Sequence, residues 1–305
     1  MGAPALPTAI PVEQRFPLDL NESDHAIRTL YERAKSARWD PFREFDWGSL
    51  SAAVTDPILR EAGRLGYSRR AWETYTGLTE TPAILIRFCL EVGREADPKY
   101  FLTVRNTEEA WHIESFHGVA KAMGGDLPEP SSGAFASLFN QRRATTVLDA
   151  STLLDAYFVT HCAIEEQLEL ALGLASLANS KQPVIRTLWE RVTADRTRHA
   201  EFGWAYLSRR APAWTSSDKQ IISESLTSFV HSTLMKGYLC PSLAQAGVAD
   251  EFVQAEQKLA EAGLGGVATG QERDRIREVM ADSRRRLRDV HIDMPLFDHP
   301  LMGKF

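Results

Sequence analysis

The sequence predicts an all-α protein, and two observations support this. Apolar residues follow helical spacing through most of the chain after residue 56, whereas alternation with period two, which marks half-buried strands, is almost absent. Several helical segments are longer than 25 residues, which is usual only in bundles. We therefore predict a single helical domain over residues 1–305. It has an N-terminal arm and aromatic loop (1–50), a bundle core (56–240), and C-terminal helices with a tail (241–305).

Glycine and proline divide the chain into elements. Residues 1–20 contain four prolines and predict an extended arm, and the next segment predicts a helix from Ser23, as its N-cap, to about Ser36. The proline-broken segment from Trp39 to Trp47 predicts a loop that its aromatic side chains pin to the bundle. The later helices are predicted at about 56–65, 69–95, 98–124, 146–178, 182–209, 217–240, 248–262 and 270–289. The tail from Val290 predicts an ordered extended strap.

Composition narrows the class of protein. The net charge of −6 and the pI of about 5.8 are unlike the basic footprint of a nucleic-acid-binding protein. The chain has no apolar run near the ~20 residues of a membrane span and no secretory signal. Its three cysteines are far apart, which argues against a disulfide framework or a thiolate zinc site. We expect a cytoplasmic protein that binds neither nucleic acid nor membrane.

An internal repeat marks the residues expected to carry chemistry. Glu108-Glu109-Ala-Trp-His112 and Asp195-Arg196-Thr-Arg-His199 both have an acid four positions before a histidine, and 87 residues separate the two blocks. Glu109 and His112 are three positions apart, so they share a helix face and can reach one metal ion. A metal-bound histidine also needs an acceptor for its other N–H. We expect Asp195 and Glu108 each to serve the histidine of the opposite helix.

Single acids precede each block by about thirty residues. Glu80 lies 29 positions before Glu109, and Glu165 and Glu166 lie 31 and 30 positions before position 196. The resulting helix order of acid, ExxH, acid and xxxH is the ligand set of di-iron four-helix bundles. Glu165 is the predicted ligand of the third helix, with Glu166 as the alternative.

These motifs resemble the ferritin-like di-iron carboxylate superfamily. Within it, the likeness is to ribonucleotide-reductase small subunits and to bacterial N-oxygenases and other monooxygenases of secondary metabolism. It is carried by Glu108-Glu109-x-x-His112, by Asp195-x-x-Arg198-His199-Ala-Glu-Phe-Gly-Trp204, and by the loop at Trp39-Asp-Pro, over about residues 35–240. The resemblance implies a ferritin-like four-helix bundle with additional helices. It implies one or two iron ions, with manganese possible, and a homodimer.

The resemblance also implies an activity. The expected protein is an O₂-dependent non-haem iron oxidase or monooxygenase that performs N-oxygenation, hydroxylation or desaturation on a small organic substrate, with an electron-donor protein as a partner. The predicted metal ligands are Glu80, Glu109, His112, Glu165 and His199. The alternative is a degenerate ferritin-like scaffold or partner subunit without a redox centre.

The sequence departs from the family pattern at Arg196, where the family has a glutamate. Arginine keeps its proton and cannot ligate a cation. Three outcomes are open: Arg196 turns outward while Asp195, Glu166 or Glu201 replaces it; one metal remains; or the metal is lost and Arg196 forms a buried salt bridge. We predict catalytic roles for Arg196, which could bind a substrate carboxylate or a reduced oxygen species, and for Asp195.

Two further assignments stay open beside this one. Glu114 and His117 form a second ExxH in the same helix, offset by five residues and so about 140° around its axis. His161 lies one turn before Glu165 and could be an extra ligand or a proton relay, although core packing is the simpler expectation. Motifs for dinucleotide, P-loop or serine-hydrolase sites are missing from the sequence.

Overall fold

The computed structural model describes residues 20–91, 95–140, 143–149 and 151–305, without the side chains of 143–145. Most of the predicted arm, residues 1–19, lies outside the described residues. The helices are α1 (His25–Ser36), α2 (Pro41–Glu44), α3 (Trp47–Ala53), α4 (Pro57–Tyr75), α5 (Gly77–Leu90), α6 (Ala96–Ala122), α7 (Gly133–Phe139), α8 (Arg143–Leu148), α9 (Leu154–Phe158), α10 (Glu166–Ala178), α11 (Pro183–Arg210), α12 (Ser216–Ser232), α13 (Asp250–Ala262) and α14 (Thr269–Asp289). Across these ranges none of the helices is both long and apolar enough for a membrane span.

The central bundle consists of α5, α6, α11 and the rod from α9 to α10. A π-helical turn, Val159–Glu165, joins α9 to α10 without interrupting the rod. Helix α11 packs against this rod so closely that a Cβ on Gly203 would lie 1.8 Å from the carbonyl oxygen of Cys162. The glycine therefore permits backbone contact between two core helices at the depth of the acids and histidines.

Several predicted helix boundaries are wrong, and the helix predicted over 146–178 is interrupted between α8 and α9. The break expected between residues 65 and 69 does not occur, and α4 is continuous because Gly66 sits against the Leu259 side chain of α13, where a Cβ would be only 2.7 Å from Leu259 Cδ1. The break falls instead at Thr76. The helix predicted over 217–240 ends at Ser232, since the chain turns through the left-handed Gly237.

The N-terminal segment is tied to the bundle by one carboxylate. Asp97, at the start of α6, accepts hydrogen bonds from the backbone N–H groups of Ser23 and Asp24 at 2.7 and 2.9 Å and from the guanidinium of Arg28. The N-cap of α1 is therefore Asp24, whose side chain accepts from the Ile27 N–H, and the prediction of Ser23 is wrong. Ser23 bonds to the neighbouring helix instead.

The segment from Trp39 to Trp47 is partly helical, as α2 and the start of α3. Its aromatic side chains pack against the bundle as predicted, except for Phe42, which is exposed. Trp39 stacks on the His112 ring at 6.2 Å between centroids and meets Trp111 edge-on at 5.6 Å. At the other end of the chain, residues 290–305 form the predicted strap, with a two-stranded pairing of Asp298–His299 with Gly303–Lys304. Arg284 holds the strap by donating to the Met294 carbonyl oxygen at 2.9 Å.

Candidate metal centre

Two histidines at the centre of the bundle are held by carboxylates of the opposite helix. His112 Nε2 donates to Asp195 Oδ2 at 3.0 Å, and His199 Nε2 donates to Glu108 Oε2 at 2.8 Å. All four side chains are buried. Ionised carboxylates only accept hydrogen bonds, so each imidazole must carry its proton on Nε2. The predicted cross-helix pairing is confirmed on both sides.

This pairing directs Nδ1 of each histidine away from its anchoring carboxylate. His112 Nδ1 is buried without a hydrogen bond to any described residue, and His199 Nδ1 has only a 3.6 Å approach to Glu166 Oε1. Burial lowers the pKa of His112 despite Asp195, which favours the neutral, metal-binding ring. Burial also acts to lower the pKa of His199, but the carboxylates of Glu166 and Glu108 outweigh it and raise the pKa to about 9. A cation binding at His199 would have to displace a proton.

Arg198 and Trp39 donate hydrogen bonds to the carboxylates that anchor the two histidines. Arg198 donates to Glu108 Oε1 at 2.6 Å and also to Asp195, so one guanidinium joins the two anchoring carboxylates. Trp39 Nε1 donates to Asp195 Oδ2 at 2.9 Å. The bond to His112 and the charge of Arg198 overcome burial and hold the pKa of Asp195 below its usual value. Hydrogen bonds from Arg198, and for Asp195 also from Trp39, therefore fix both anchoring carboxylates in place.

A second group lies on α5 and the π-helical turn. His161 Nδ1 is 2.8 Å from Glu165 Oε2 and 3.1 Å from Glu80 Oε2, and all three side chains are buried. In the described part of the chain, these are the one group of three or more His, Cys, Asp or Glu residues whose donor atoms all lie within 4.8 Å of one another. The wider turn also brings Glu165 and Glu166 into the interior together.

Arg105, which the sequence analysis overlooked, lies between the bundle helices. It is 1% exposed, donates from Nε to Glu109 Oε1 at 3.0 Å and from Nη2 to Glu166 Oε2 at 2.9 Å, and lies 3.5 Å from His161 Nε2. The sequence carried a signal for it, because Arg105 is one helical turn before Glu109 and so shares its face. Gly77 leaves space for the Glu109 carboxylate, since a Cβ there would be 2.7 Å from Glu109 Cδ.

Arg196 faces inward. Its guanidinium donates to Glu166 Oε1 at 3.2 Å, contacts Glu169, and approaches Thr74 Oγ1 at 3.5 Å. The outward orientation considered above is therefore wrong, and Arg196 forms a buried salt bridge. The charges of Arg105 and Arg196 overcome burial and hold the pKa of Glu166 well below its usual value.

The second ExxH does not reach the interior. Glu114 is exposed, and His117 lies 3.3 Å from Asp126 at the surface, so their assignment as ligands is wrong. The predicted ligands Glu80, Glu109, His112, Glu165 and His199 are all buried within the bundle. They divide into two layers, with His112 and His199 in one and Glu80 and Glu165 in the other. Arg105 lies between Glu109 and the His161 ring.

A cavity of about 50 Å³ borders Arg196 on the side of α4. By volume it has room for a few water molecules or a small polar group. Burial raises the pKa of two of its carboxyls, Glu73 and Glu272, to about 7 in spite of the nearby Arg69. Its polar lining consists of Arg69, Arg70, Glu73, Thr74, Glu169, Ser176, Arg196 and Glu272.

Comparison with known proteins identifies the fold. Neither protein-family models nor curated proteins give a match. Among solved structures, an R2-like ligand-binding oxidase with an aerobically reconstituted metal cofactor after photoconversion aligns at 17% identity and a TM-score of 0.65, covering 86% of this chain and 93% of that one. A long-soak form with a Mn/Fe cofactor aligns at 17% identity and a TM-score of 0.58, with coverages of 89% and 95%. A variant of an R2-like ligand-binding oxidase with an anaerobically reconstituted Mn/Fe cofactor aligns at 18% identity and a TM-score of 0.64, covering 86% of this chain and 93% of that one. The predicted all-α ferritin-like fold is confirmed.

Proposed function

We propose that this protein is an O₂-dependent oxidase that uses a metal ion in the bundle centre to oxidise a small organic substrate. The observation that carries the proposal is the pair of histidines anchored through Nε2 to carboxylates of opposite helices. This is the arrangement that metal-binding histidines require, because the outer carboxylate fixes the tautomer and the ring orientation. The solved structures similar to this chain include R2-like ligand-binding oxidases with reconstituted Mn/Fe cofactors, which supports the same proposal.

The residues present fit such an ion. Glu80, His161 and Glu165 offer two carboxylates and an imidazole within 4.8 Å, and Glu109 Oε2 is buried without a hydrogen bond to any described residue. Mixed carboxylate and imidazole donors suit iron and manganese. A bound iron or manganese ion would supply the electrons that reduce O₂.

The side chains of the protein would exclude water from the metal centre and supply fixed charges around it. The inner side chains are almost fully buried, which keeps a reactive centre dry. Arg196 lines the cavity at α4, and we propose that its guanidinium, which also contacts Glu166 and Glu169, binds an anionic group of the substrate there. Asp195 and Glu108 would keep His112 and His199 in one orientation throughout.

The finer predictions extend this proposal. The polar cavity suits a small polar substrate, and N-oxygenation, hydroxylation and desaturation are the reactions we propose for it. An electron-donor protein, a homodimer and a cytoplasmic location complete the proposal.

One observation favours the scaffold alternative. Arg105 and Arg196 neutralise Glu109 and Glu166 through direct salt bridges, so part of the acidic centre is stable without a metal. The two functions separate by the iron retained after anaerobic loading and desalting. We expect iron in the wild type and in Glu114→Gln, an exposed control on the same helix, but not in the double variant Glu80→Gln/Glu165→Gln. If none of the three proteins retains iron, the oxidase proposal fails and the scaffold function is favoured.

A further inference from the structure

The cavity at α4 is lined by charged side chains that are themselves buried. Arg69 and Glu73 come from α4, and each is at least nine-tenths buried. Arg196 of α11 and Glu272 of α14 line the same space and are buried to the same degree. Charged groups are costly to bury unless each has a partner. The hydrogen bonds that this lining leaves unused therefore indicate what the cavity can bind.

Two guanidinium N–H groups of the lining have no acceptor among the described residues. Arg69 donates from Nη1 to Glu73 and from Nη2 to Glu256 at 2.9 Å. Arg70 donates from Nη2 to the same Glu256 carboxylate at 2.8 Å. Arg69 Nε and Arg70 Nη1 are buried without a hydrogen bond to any described residue. Because a buried charged donor without an acceptor is costly, a ligand that supplies oxygen acceptors would be stabilised here.

Arg196 adds a donor from a second helix. Its Nη1 contacts Glu166 and Glu169, whereas its Nη2 has a 3.5 Å approach to Thr74 Oγ1, which is the outer limit of a hydrogen bond. Thr74 also lines the cavity, and its hydroxyl can donate. The flat fork of a guanidinium matches the two oxygens of a planar oxyanion such as a carboxylate. The cavity volume of about 50 Å³ limits the bound group to a small one.

The cavity also holds carboxyls that would repel an anion if they were ionised. Burial raises the pKa of Glu73 and of Glu272 to about 7 despite the nearby Arg69. A neutral carboxyl can donate a hydrogen bond through its O–H group, and it no longer repels an anion. An anion should therefore bind together with a proton, and its affinity should fall as the pH rises above about 7.

Other charged and titratable groups face these two carboxyls from several elements. They are Arg69 and Arg70 on α4, Glu169 on α10, Arg196 on α11, Cys240 after α12, and Glu256 on α13. Burial acts to raise the pKa of Glu256, but Arg70 and Arg69 outweigh it and hold the pKa below its usual value. Burial raises the pKa of the Cys240 thiol well above its usual value. Neither group therefore changes its charge near pH 7, and we expect Glu73 and Glu272 to take up the protons.

We infer that the cavity at α4 is a binding site for a small planar oxyanion, which accepts hydrogen bonds from Arg69, Arg70 and Arg196 and binds together with a proton. This inference rests on the proposed function, in which Arg196 binds an anionic group of the substrate, but it requires no bound metal ion. The oxyanion is a free anion of the size of formate or the carboxylate end of a longer substrate.

The experiment is isothermal titration calorimetry of the full chain, treated with chelator, with sodium formate at pH 6 and pH 8 and at constant ionic strength. We expect one formate per chain at pH 6. The affinity at pH 8 should be about 10-fold weaker for each carboxyl that must take up a proton. Titrations at pH 7 in buffers of different ionisation enthalpy should show that protons are taken up with formate.

Substitutions separate the role of the carboxyls from that of the arginines. The double variant Glu73→Gln/Glu272→Gln should bind formate equally well at both pH values, because glutamine stays neutral. Glu129→Gln, at an exposed position, is the control and should keep the wild-type pH dependence. Arg196→Met should weaken binding at pH 6 at least about 10-fold, because it removes a charged donor. The double variant keeps the arginines and so tests the site if Arg196→Met fails to fold.

Longer carboxylates distinguish the two sources of the anion. Weaker binding from formate through acetate to butyrate would identify a free anion, whereas tighter binding of butyrate would identify the end of a longer substrate. A wild type that binds no formate at pH 6 would overturn the inference. An affinity that depends neither on pH nor on Arg196 would overturn it as well. Neither failure touches the oxidase proposal, which is tested by iron retention, and a failure to retain iron would leave formate binding to the chelator-treated protein unchanged.

Discussion

Replacing Glu272 by glutamine should change how stability depends on pH. Burial raises the pKa of Glu272 from 4.5 to about 7, so the native state keeps a proton that the unfolded state loses over this range. The free energy of unfolding must therefore fall as pH rises from about 4.5 to about 7 and level off above it. A shift of this size corresponds to about 3 kcal/mol. Glutamine stays neutral and can still accept from the Ser242 N–H, which donates to Glu272 at 3.0 Å.

Urea unfolding of the chelator-treated protein at pH 5, 6.5 and 8 measures this effect. Glu272→Gln should be about 3 kcal/mol more stable than the wild type at pH 8 and less than about 1 kcal/mol more stable at pH 5. The comparison cancels the contribution of His199, which is common to both proteins. Glu129→Gln, at an exposed position, controls for the loss of a carboxylate. A difference between Glu272→Gln and the wild type that does not vary with pH would refute the reasoning.

Two other substitutions test the packing around the centre. Gly203→Ala should destabilise the protein by more than about 4 kcal/mol or prevent folding, because its Cβ would overlap the carbonyl oxygen of Cys162. Gly270→Ala is the control, since its Cβ would meet no atom within 4 Å. In thermal unfolding this control should be neutral or slightly stabilising. Equal melting temperatures for the two variants would contradict the close approach of α11 to the π-helical turn. Trp39→Phe keeps an aromatic ring but removes the donor to Asp195, and should lower the free energy of unfolding by about 1.5–3 kcal/mol in urea titration. No change would show that this bond adds nothing.

The fold and the pairing of the two histidines with their anchoring carboxylates could be predicted from the sequence, because both depend on local periodicity. Helical spacing identified the long helices, and the repeat of acid and histidine placed Glu108 and Asp195 on the faces that meet His199 and His112. Those contacts need only regular helices that face each other, and the structure has them at 2.8 and 3.0 Å.

The contacts around Glu165 and Arg105 could not be predicted in the same way. A π-helical turn changes which residues face the interior, and helical periodicity does not locate the turn at Val159–Glu165. Arg105 lies one helical turn before Glu109, but spacing alone does not show that a guanidinium joins Glu109 to Glu166 of another helix. The break predicted between residues 65 and 69 does not occur, and Gly66 there packs against Leu259, a long-range contact that local periodicity does not show.

The central claim is that a metal ion held in this bundle reacts with O₂. The direct test counts bound iron and consumed O₂ in one sample, by loading Fe(II) anaerobically, desalting, and adding oxygenated buffer in an oxygen electrode. The account predicts O₂ uptake in proportion to bound iron in the wild type and none in the double variant Glu80→Gln/Glu165→Gln. A wild type that retains iron but consumes no O₂, or that consumes as much as the double variant, would contradict it.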